Sequence, residues 1–267
     1  MLPARLILAL ALTIGAVCAV SGAGSARIAI IIDDLGNSRE LGHEAVALPG
    51  ALTYSVLPMR PFSRYVADTA SAHGKEVMLH LPMESVDGHT MGPGGLHLGM
   101  DRDSLVRTLR ASLDSVPHAA GVNNHMGSLL TRHPTAMRWV MEELGCFDRL
   151  YFVDSRTDVR TVAREFAREA GLANAQRDVF LDNQLDRDYI RAQLARLIAI
   201  ARRRGSAIGI GHPSPETLEV LADELPRLAQ QGIKLVPVSR LVDSAWSERL
   251  WHASSSPLQK VAKSSKP

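Results

Sequence analysis

The feature that most constrains the fold of this chain is an alternation of short apolar runs with amphipathic helical patterns, which begins at Arg27. The first run, IAIII at 28–32, contains no polar residue, and such runs are typical of strands buried on both faces of a sheet. The helical patterns are bounded by capping residues and helix breakers, such as Ser38 before the first helix and Pro49 after it. A helix between most neighbouring strands predicts an α/β fold with a parallel sheet, either open or closed into a barrel.

The alternation predicts about eight strands. They are expected at residues 28–32, 51–57, 76–81, 120–124, 150–154, 178–182, 207–211 and 233–238. One segment between Glu84 and Met100 breaks the alternation with five glycines and no periodicity. It predicts a long loop, which is either functional or a surface excursion.

Both ends of the chain differ from its middle. Residues 1–26 combine Arg5, an uncharged apolar run and a stretch of small residues, which predicts a secretory signal peptide; the alternative is an uncleaved N-terminal anchor. Residues 247–267 are rich in Ser, Lys and Pro and are predicted to form a flexible tail. The remaining 27–246 are expected to form one domain. The protein is therefore expected in the periplasm or outside the cell, with membrane contact only through an uncleaved leader.

Composition narrows the function classes. A net charge of +2, with basic residues scattered through the helices, argues against nucleic acid as a partner. Removal of the leader leaves Cys146 as the only cysteine, which excludes an internal disulfide framework and a cysteine-rich metal site. The oligomeric state is not predicted.

Polar residues gather where the predicted strands end, which in parallel α/β folds is where ligands bind. In chain order they are Asp33, Asp34, His80, Asn123, Asn124, His125, Asp154, Arg156, Asp182 and His212. Capping of the following helices would explain some of the acids and amides, but it explains three histidines less well. The sequence therefore predicts a functional site at this edge of the sheet.

The residue types in this group point to metal-dependent chemistry. The adjacent carboxylates of Asp33 and Asp34 repel one another, which favours a cation beside them or a raised pKa on one of them. An acid with His80 and His125 is a plausible ligand set for Zn²⁺ or another divalent first-row metal, although each histidine alone is more often structural. His212 ends a Gly-rich strand, where missing side chains would let a substrate approach, and its imidazole suits a general acid; the alternative is a capped turn.

Five segments in this order, IDDLG, LHLPME, GVNNHMGS, FVDSRT and IGIGHP, resemble the divergent polysaccharide deacetylase family, distant relatives of the rhizobial chitooligosaccharide deacetylase. The resemblance covers roughly residues 27–243. It implies a distorted parallel (β/α) barrel with seven or eight strands, export to the periplasm, and hydrolysis of an acetyl group on a polysaccharide.

The resemblance also implies roles for single residues. Asp33 matches the general base, Asp34 and His80 match metal ligands, and His212 matches the histidine that protonates the leaving group. The family's second metal histidine falls on Glu84, so its role passes either to His125 or to Glu84 itself. Arg156 matches the arginine that holds the catalytic acid, while Asn124 and Asp154 are expected to support the site or bind substrate.

The sequence thus predicts an exported metal-dependent hydrolase, with Zn²⁺ as the expected cofactor, that removes acetyl groups from a cell-envelope polysaccharide. One alternative is a catalytically impaired glycan-binding or partner protein on the same fold. A second alternative, a phosphate-ester hydrolase, is disfavoured because no Gly-rich phosphate loop opens any predicted helix.

Overall fold

The computed structural model describes residues 25–242. The predicted leader, apart from its last two residues, and the predicted tail lie outside this range, as do the last four residues of the predicted domain. Within it the strands are β1 (Ala26–Leu35), β2 (Thr53–Val56), β3 (Glu76–Met83), β4 (Ala119–Met126), β5 (Tyr151–Asp154), β6 (Ala173–Gln176), β7 (Val179–Phe180), β8 (Ser206–Gly211) and β9 (Ile233–Leu235). The α-helices are α1 (Arg39–Ala47), α2 (Ser63–Ala72), α3 (Arg102–Ser115), α4 (Pro134–Leu144), α5 (Ala163–Glu169), α6 (Arg187–Arg204) and α7 (Pro215–Glu224).

The strands form one parallel sheet that curls into an incomplete barrel. Its order is β6-β5-β4-β3-β2-β1-β8-β7, and β9 pairs with the start of β1. The two edge strands, β6 and β7, are separated by only Arg177 and Asp178. The backbone N–H of Arg177 donates to the carbonyl of Asp154 at the end of β5, and that of Asp178 donates to the carbonyl of Ile208 on β8. The chain therefore crosses the gap of the barrel at these two residues. The predicted α/β fold with a curled parallel sheet is confirmed.

Alternating side chains of each strand face the inside and the outside of the curl. On β1, Ile28, Ile30 and Ile32 pack outward against the helices. Ala29 and Ile31 belong to a smaller inner core that also includes Met78, Val153 and Ile210 of other strands. The next inward positions toward the carboxyl ends of these strands are polar, and the functional candidates occupy them.

Two details differ from the sequence prediction. The structure has an additional strand, β6, with the sequence ANAQ; it lacks the apolar run on which the prediction relied. The predicted strand at 178–182 is reduced to Val179 and Phe180, although the Leu181 backbone N–H still donates to Ile210 on β8. No helix within residues 25–242 is long and apolar enough to cross a membrane.

Candidate metal centre

The carboxyl ends of four neighbouring strands bring polar side chains together inside the curl. His80 follows Met78 by two residues on β3, and Ser55 follows Thr53 by two on β2, so each inherits the inward direction of its strand. Asp33 and His80 are almost completely buried. The end of the barrel interior formed by these residues is called the mouth below.

Asp34 reaches the same mouth as Asp33 only because the backbone of β1 departs from regular geometry. Adjacent residues of a strand normally point to opposite faces. Asp34, however, has a φ of 58°, in the left-handed region, and the pairing of β1 with β2 shifts between Ile32 and Leu35. Strained backbone of this kind is found at functional sites, and here it places two carboxylates on one side of the strand.

Asp34, His80 and His125 form a compact group that could hold a metal ion. Asp34 Oδ1 lies 3.0 Å from His80 Nε2 and 2.8 Å from His125 Nδ1. The two imidazole nitrogens are 3.2 Å apart. Atoms bound about 2.0–2.1 Å from one Zn²⁺ ion lie roughly 3 Å from each other, so this triangle has the size of one face of a coordination sphere.

An unsatisfied oxygen supports the same interpretation. Asp34 Oδ1 is buried and receives no hydrogen bond from the described residues. Buried polar atoms without partners are costly, and a cation is a suitable partner for a carboxylate oxygen that lies between two imidazole nitrogens. The donor set of one carboxylate and two imidazoles, without thiolate, suits a divalent first-row metal.

Asn123, which is fully buried on β4, connects this group to Asp33. Its Oδ1 accepts a hydrogen bond from Ser55 Oγ at 2.6 Å and lies 2.7 Å from His80 Nδ1. Its Nδ2 donates to Asp33 Oδ1 at 2.9 Å. Asp33 Oδ2 is 3.6 Å from His80 Nε2, so this carboxylate sits beside the metal-binding triangle without belonging to it.

The two adjacent acids have opposite electrostatic surroundings. Burial raises the pKa of Asp33, and the charges of His80 and His212 offset only part of this rise. Burial also acts on Asp34, but its contacts with the His125 and His80 imidazoles hold its pKa well below the usual range. One carboxylate is therefore suited to accept a proton and the other to remain ionised as a ligand.

His212 follows β8 and faces the mouth from the opposite side of β1. Its Nε2 is 4.0 Å from Asp34 Oδ2. Asp182 accepts hydrogen bonds from both the backbone N–H (2.6 Å) and Nδ1 (2.9 Å) of His212, and a third from Thr217. Burial lowers the pKa of His212, but Asp182, with the charges of Asp33 and Asp34, raises it to about 9. The imidazolium is therefore held with Nε2 toward the mouth, as proton donation requires.

The glycines before His212 have a different purpose from the predicted one. A Cβ atom at Gly209 would lie 2.8 Å from Leu197 Cδ2 on α6, and one at Gly211 would crowd Thr217 and Asp182. Both glycines therefore make room for packing on the outer face of β8. The expectation that they let a substrate approach is wrong.

Arg156 was expected, from the resemblance, to hold the catalytic acid, and the structure gives its position. The backbone N–H of Arg156 donates to Asp154, and no contact between the Arg156 side chain and Asp33 is found within residues 25–242. Arg177, in the gap of the barrel, donates to the carbonyls of Ser155 and Arg156 and lies 3.8 Å over the Phe180 ring. Burial and the charge of Arg156 lower the pKa of Arg177 to about 10. The charges of nearby acids, including Asp33, act in the opposite direction and raise the pKa.

The supporting residues shape loops around the mouth. Glu84 Oε2 accepts a hydrogen bond from Leu98 N at 2.7 Å and so holds the long loop after β3 in place. Of Glu84 and His125, the two candidates for the role of the family's second metal histidine, the structure brings His125 into the metal group. Asn124 Oδ1 accepts from Ser155 N and ties β4 to β5. Asp154 is buried, accepts from Arg156 N and Thr161 Oγ1, and fixes the loop after β5.

Sequence reasoning assigned no role to Asn123, Ser55, Asp182 or Arg177. A signal existed for the first of them, because strand alternation makes Asn123 share the inward direction of His125, whereas Asn124 points outward. Asp182 was recognised only as a strand-end residue. Arg177 lies between two short strands, where no apolar run marked the edge of the sheet.

The chain resembles known proteins in both its sequence and its fold. The sequence model of the family described as "Divergent polysaccharide deacetylase" matches residues 30–242. A curated relative, the uncharacterized protein YibQ of Escherichia coli (strain K12), is 38% identical over 217 residues, which cover 81% of this chain and 67% of that protein.

Two solved structures show how the fold extends beyond close relatives. The uncharacterized protein ATU2773 from Agrobacterium tumefaciens C58 superposes with a TM-score of 0.79 at 27% identity, covering 83% of this chain and 91% of that chain. A mutant of the peptidoglycan deacetylase PdaC from Bacillus subtilis gives a TM-score of 0.51 at 12% identity, covering 88% and 99%. This second likeness is one of fold alone.

Proposed function

Because the chain belongs to the divergent polysaccharide deacetylase family, we propose that it is an exported metal-dependent hydrolase that removes acetyl groups from a cell-envelope polysaccharide. One observation carries the proposal: the triangle of Asp34, His80 and His125 contains a buried oxygen without a partner, and Asp33 and His212 flank it. A metal group with a proton acceptor on one side and a proton donor on the other is what amide or ester hydrolysis requires.

Three residues would hold the cation, and we propose Zn²⁺ as its identity. Asp34 supplies an ionised carboxylate, while His80 and His125 supply imidazole nitrogens. A divalent ion bound there polarises a carbonyl and lowers the pKa of water, which is the chemistry that acetyl hydrolysis needs.

The protein's own residues would move the protons. Asp33, whose pKa burial raises, accepts the proton of the attacking water. His212, which Asp182 keeps protonated and oriented, donates from Nε2 to the departing amine or hydroxyl. Asn123 keeps Asp33 in place, because its Nδ2 donates to the carboxylate.

The family supports the proposed substrate class. Its description names a polysaccharide, which favours such a polymer as the substrate. An exported enzyme would meet such a polymer in the cell envelope.

The experiment is a measurement of acetate release by the mature protein. Protein stripped with chelator and reloaded with one equivalent of Zn²⁺ should release acetate from acetylated chitooligosaccharides or peptidoglycan fragments, and the stripped protein should not. Asp33→Asn, loaded with the same metal, is the matched control. Tight glycan binding without acetate release would favour the glycan-binding alternative, and release of phosphate from phosphate esters would favour the other hydrolase class.

Export is a separate part of the proposal. Ala26 pairs with Ile233 at the start of β1, so cleavage after Ala23 would leave this strand whole, whereas cleavage after Ala26 would remove its first residue. Intact-mass analysis of periplasmic protein should therefore show a chain that begins at Gly24. Full-length protein confined to the membrane fraction would contradict export by a cleaved leader.

A further inference from the structure

The geometry points to Asn123 as a positioning residue: we propose that its amide selects the ring nitrogen that His80 presents to a metal ion and holds the Asp33 carboxylate with the same side chain. Asn123 contacts inward residues of three other strands, namely Asp33 on β1, Ser55 on β2 and His80 on β3. The inference deepens the proposed function and rests on it for the role of Asp33, but its effect on metal binding is tested separately.

The orientation of the amide follows from its partners. A carboxylate only accepts hydrogen bonds when ionised, so the amide group that lies 2.9 Å from Asp33 Oδ1 must be Nδ2. Oδ1 then faces Ser55 Oγ and His80 Nδ1. Ser55 is compatible with this orientation, because its hydroxyl donates to Oδ1 at 2.6 Å.

The oriented amide determines the tautomer of His80. Oδ1 is an acceptor, so His80 Nδ1 must carry a proton, and a neutral ring then has its lone pair on Nε2. Nε2 is the atom that lies 3.0 Å from Asp34 Oδ1 in the metal-binding triangle. In the opposite tautomer, Nε2 would carry a proton into the triangle and could not be a ligand.

Few other side chains could replace Asn123. An aspartate could accept from His80 and Ser55, but it could not donate to Asp33 and would add a like charge beside it. An alanine would leave the buried partners of the amide unpaired. The two effects of Asn123, on the metal ligand and on the proton acceptor, can therefore be separated by substitution.

The test measures Zn²⁺ affinity by chelator competition and acetate release for Asn123→Ala, Asn123→Asp and Ser55→Ala. Asn174→Ala is the matched control, because Asn174 is also buried and hydrogen-bonded but lies on β6, where it bonds Leu172 and Arg164. Nitrogen NMR of the His80 ring in metal-free protein, at a pH where the ring is neutral, reports the tautomer directly.

Asn123→Ala should raise the dissociation constant for Zn²⁺ by about 10- to 100-fold, the usual effect of losing a hydrogen bond that orients a ligand. Asn123→Asp should bind Zn²⁺ at least as tightly as the native protein while acetate release falls, since the donor to Asp33 is lost and a like charge is added beside it. Ser55→Ala should have a smaller effect on affinity than Asn123→Ala, and Asn174→Ala none.

Native affinity in Asn123→Ala, an equal loss in Asn174→Ala, or an Nε2–H tautomer in the native protein would overturn the inference. If Asn123→Ala does not fold, Asn123→Asp and Ser55→Ala decide the question: loss of metal binding by the aspartate variant would also overturn it. A native protein that shows the expected affinity pattern but releases no acetate would refute the proposed function and leave the inference on His80 intact.

Discussion

The two ends of the barrel interior are built from the same strands but are satisfied differently. At the amino end, Glu76 Oε1 accepts hydrogen bonds from Thr53 Oγ1 (2.9 Å), Tyr151 OH (2.9 Å) and Ser239 N (3.1 Å). At the mouth, inward residues further along β2 and β3, Ser55 and His80, both contact the Asn123 side chain. Asp34 Oδ1 nevertheless receives no hydrogen bond from the described residues. Both ends hold an acid among polar side chains, and the mouth has a buried carboxylate oxygen without a hydrogen bond from the described residues.

The difference separates a structural polar cluster from a binding site. Glu76 and its donors close the amino end and tie the last described segment to the barrel, because Thr53 Oγ1 also accepts from Val238 N. The protein supplies three donors to Glu76 Oε1 there. Left-handed backbone conformations occur at Asp34, Met126 and Arg156, all at strand ends around the mouth, and strain of this kind is found at functional sites.

The strongest test of this comparison is Asp34→Asn. An amide oxygen is a poorer ligand than a carboxylate, so Zn²⁺ affinity should fall by more than the roughly 100-fold that a lost supporting contact costs, and acetate release should fall with it. A metal that binds only the native state adds about 2.7 kcal/mol of stability at a concentration of 100 times Kd. Calorimetry should show this gain in the native protein and not in Asp34→Asn.

The contrary outcome is clear. If Asp34→Asn keeps the full metal-induced rise in melting temperature, the unpaired oxygen does not mark the metal site. The comparison between the two ends would then lose its basis. Equilibrium dialysis against Zn²⁺ on the same samples gives an independent measure of the bound metal.

The next largest effect should come from residues that move protons without holding the metal. Asp33→Asn and His212→Ala should each lower kcat by about 10²- to 10⁴-fold while metal content stays near that of the native protein. The loss in His212→Ala should be smallest with activated aryl esters, whose leaving groups need no proton. Loss of metal and of folding together in both variants would mean that these side chains are structural.

Much of the fold was predictable because its signal is local. The uninterrupted apolar run of β1 and the capped helices identified a parallel sheet, and the curled sheet with eight strands in its main path confirms that prediction. The strand β6 was not predictable in the same way, because ANAQ has no apolar run and pairs with β5 through its backbone. Its existence depends on tertiary pairing.

The site was predictable in its residue types but not in its connections. The strand-end rule selected Asp34, His80 and His125, which the structure places within contact distance. The rule could not show that a left-handed φ at Asp34 turns both acids into one mouth. It also favoured Asn124 over Asn123, although strand alternation from His125 selects Asn123 as the inward residue.

At the amino end, Glu76→Gln should lower stability and leave metal binding unchanged. The glutamine retains an acceptor oxygen but loses the charge that strengthens three hydrogen bonds, and hydrogen bonds to charged groups contribute about 1.5–3 kcal/mol. Denaturant unfolding of metal-free protein should show a loss within that range. The metal-induced rise in melting temperature should be the native one, starting from a lower value, and a weaker rise would contradict the separation of the two ends.

The smallest expected effect is that of Tyr151→Phe, which removes one of the three donors to Glu76 and keeps the aromatic ring in the inner core. Burial and the neighbouring Glu76 charge raise the pKa of the Tyr151 hydroxyl well above its ordinary value, so it is a neutral donor throughout the accessible pH range. Loss of this one hydrogen bond to a carboxylate should cost about 1.5 kcal/mol in unfolding free energy, the lower limit for hydrogen bonds to charged groups, with Zn²⁺ affinity unchanged. In a double-mutant cycle with Glu76→Gln, the stability loss of the double variant should be smaller than the sum of the two single losses, because both variants weaken the same contact.

Tyr151 lies two residues before Val153 on β5, and the inner core separates it from the mouth. A change in Zn²⁺ affinity in Tyr151→Phe would therefore mean that the apolar layer transmits strain from one end of the barrel to the other. That result would replace the contrast between the two ends with a single coupled network.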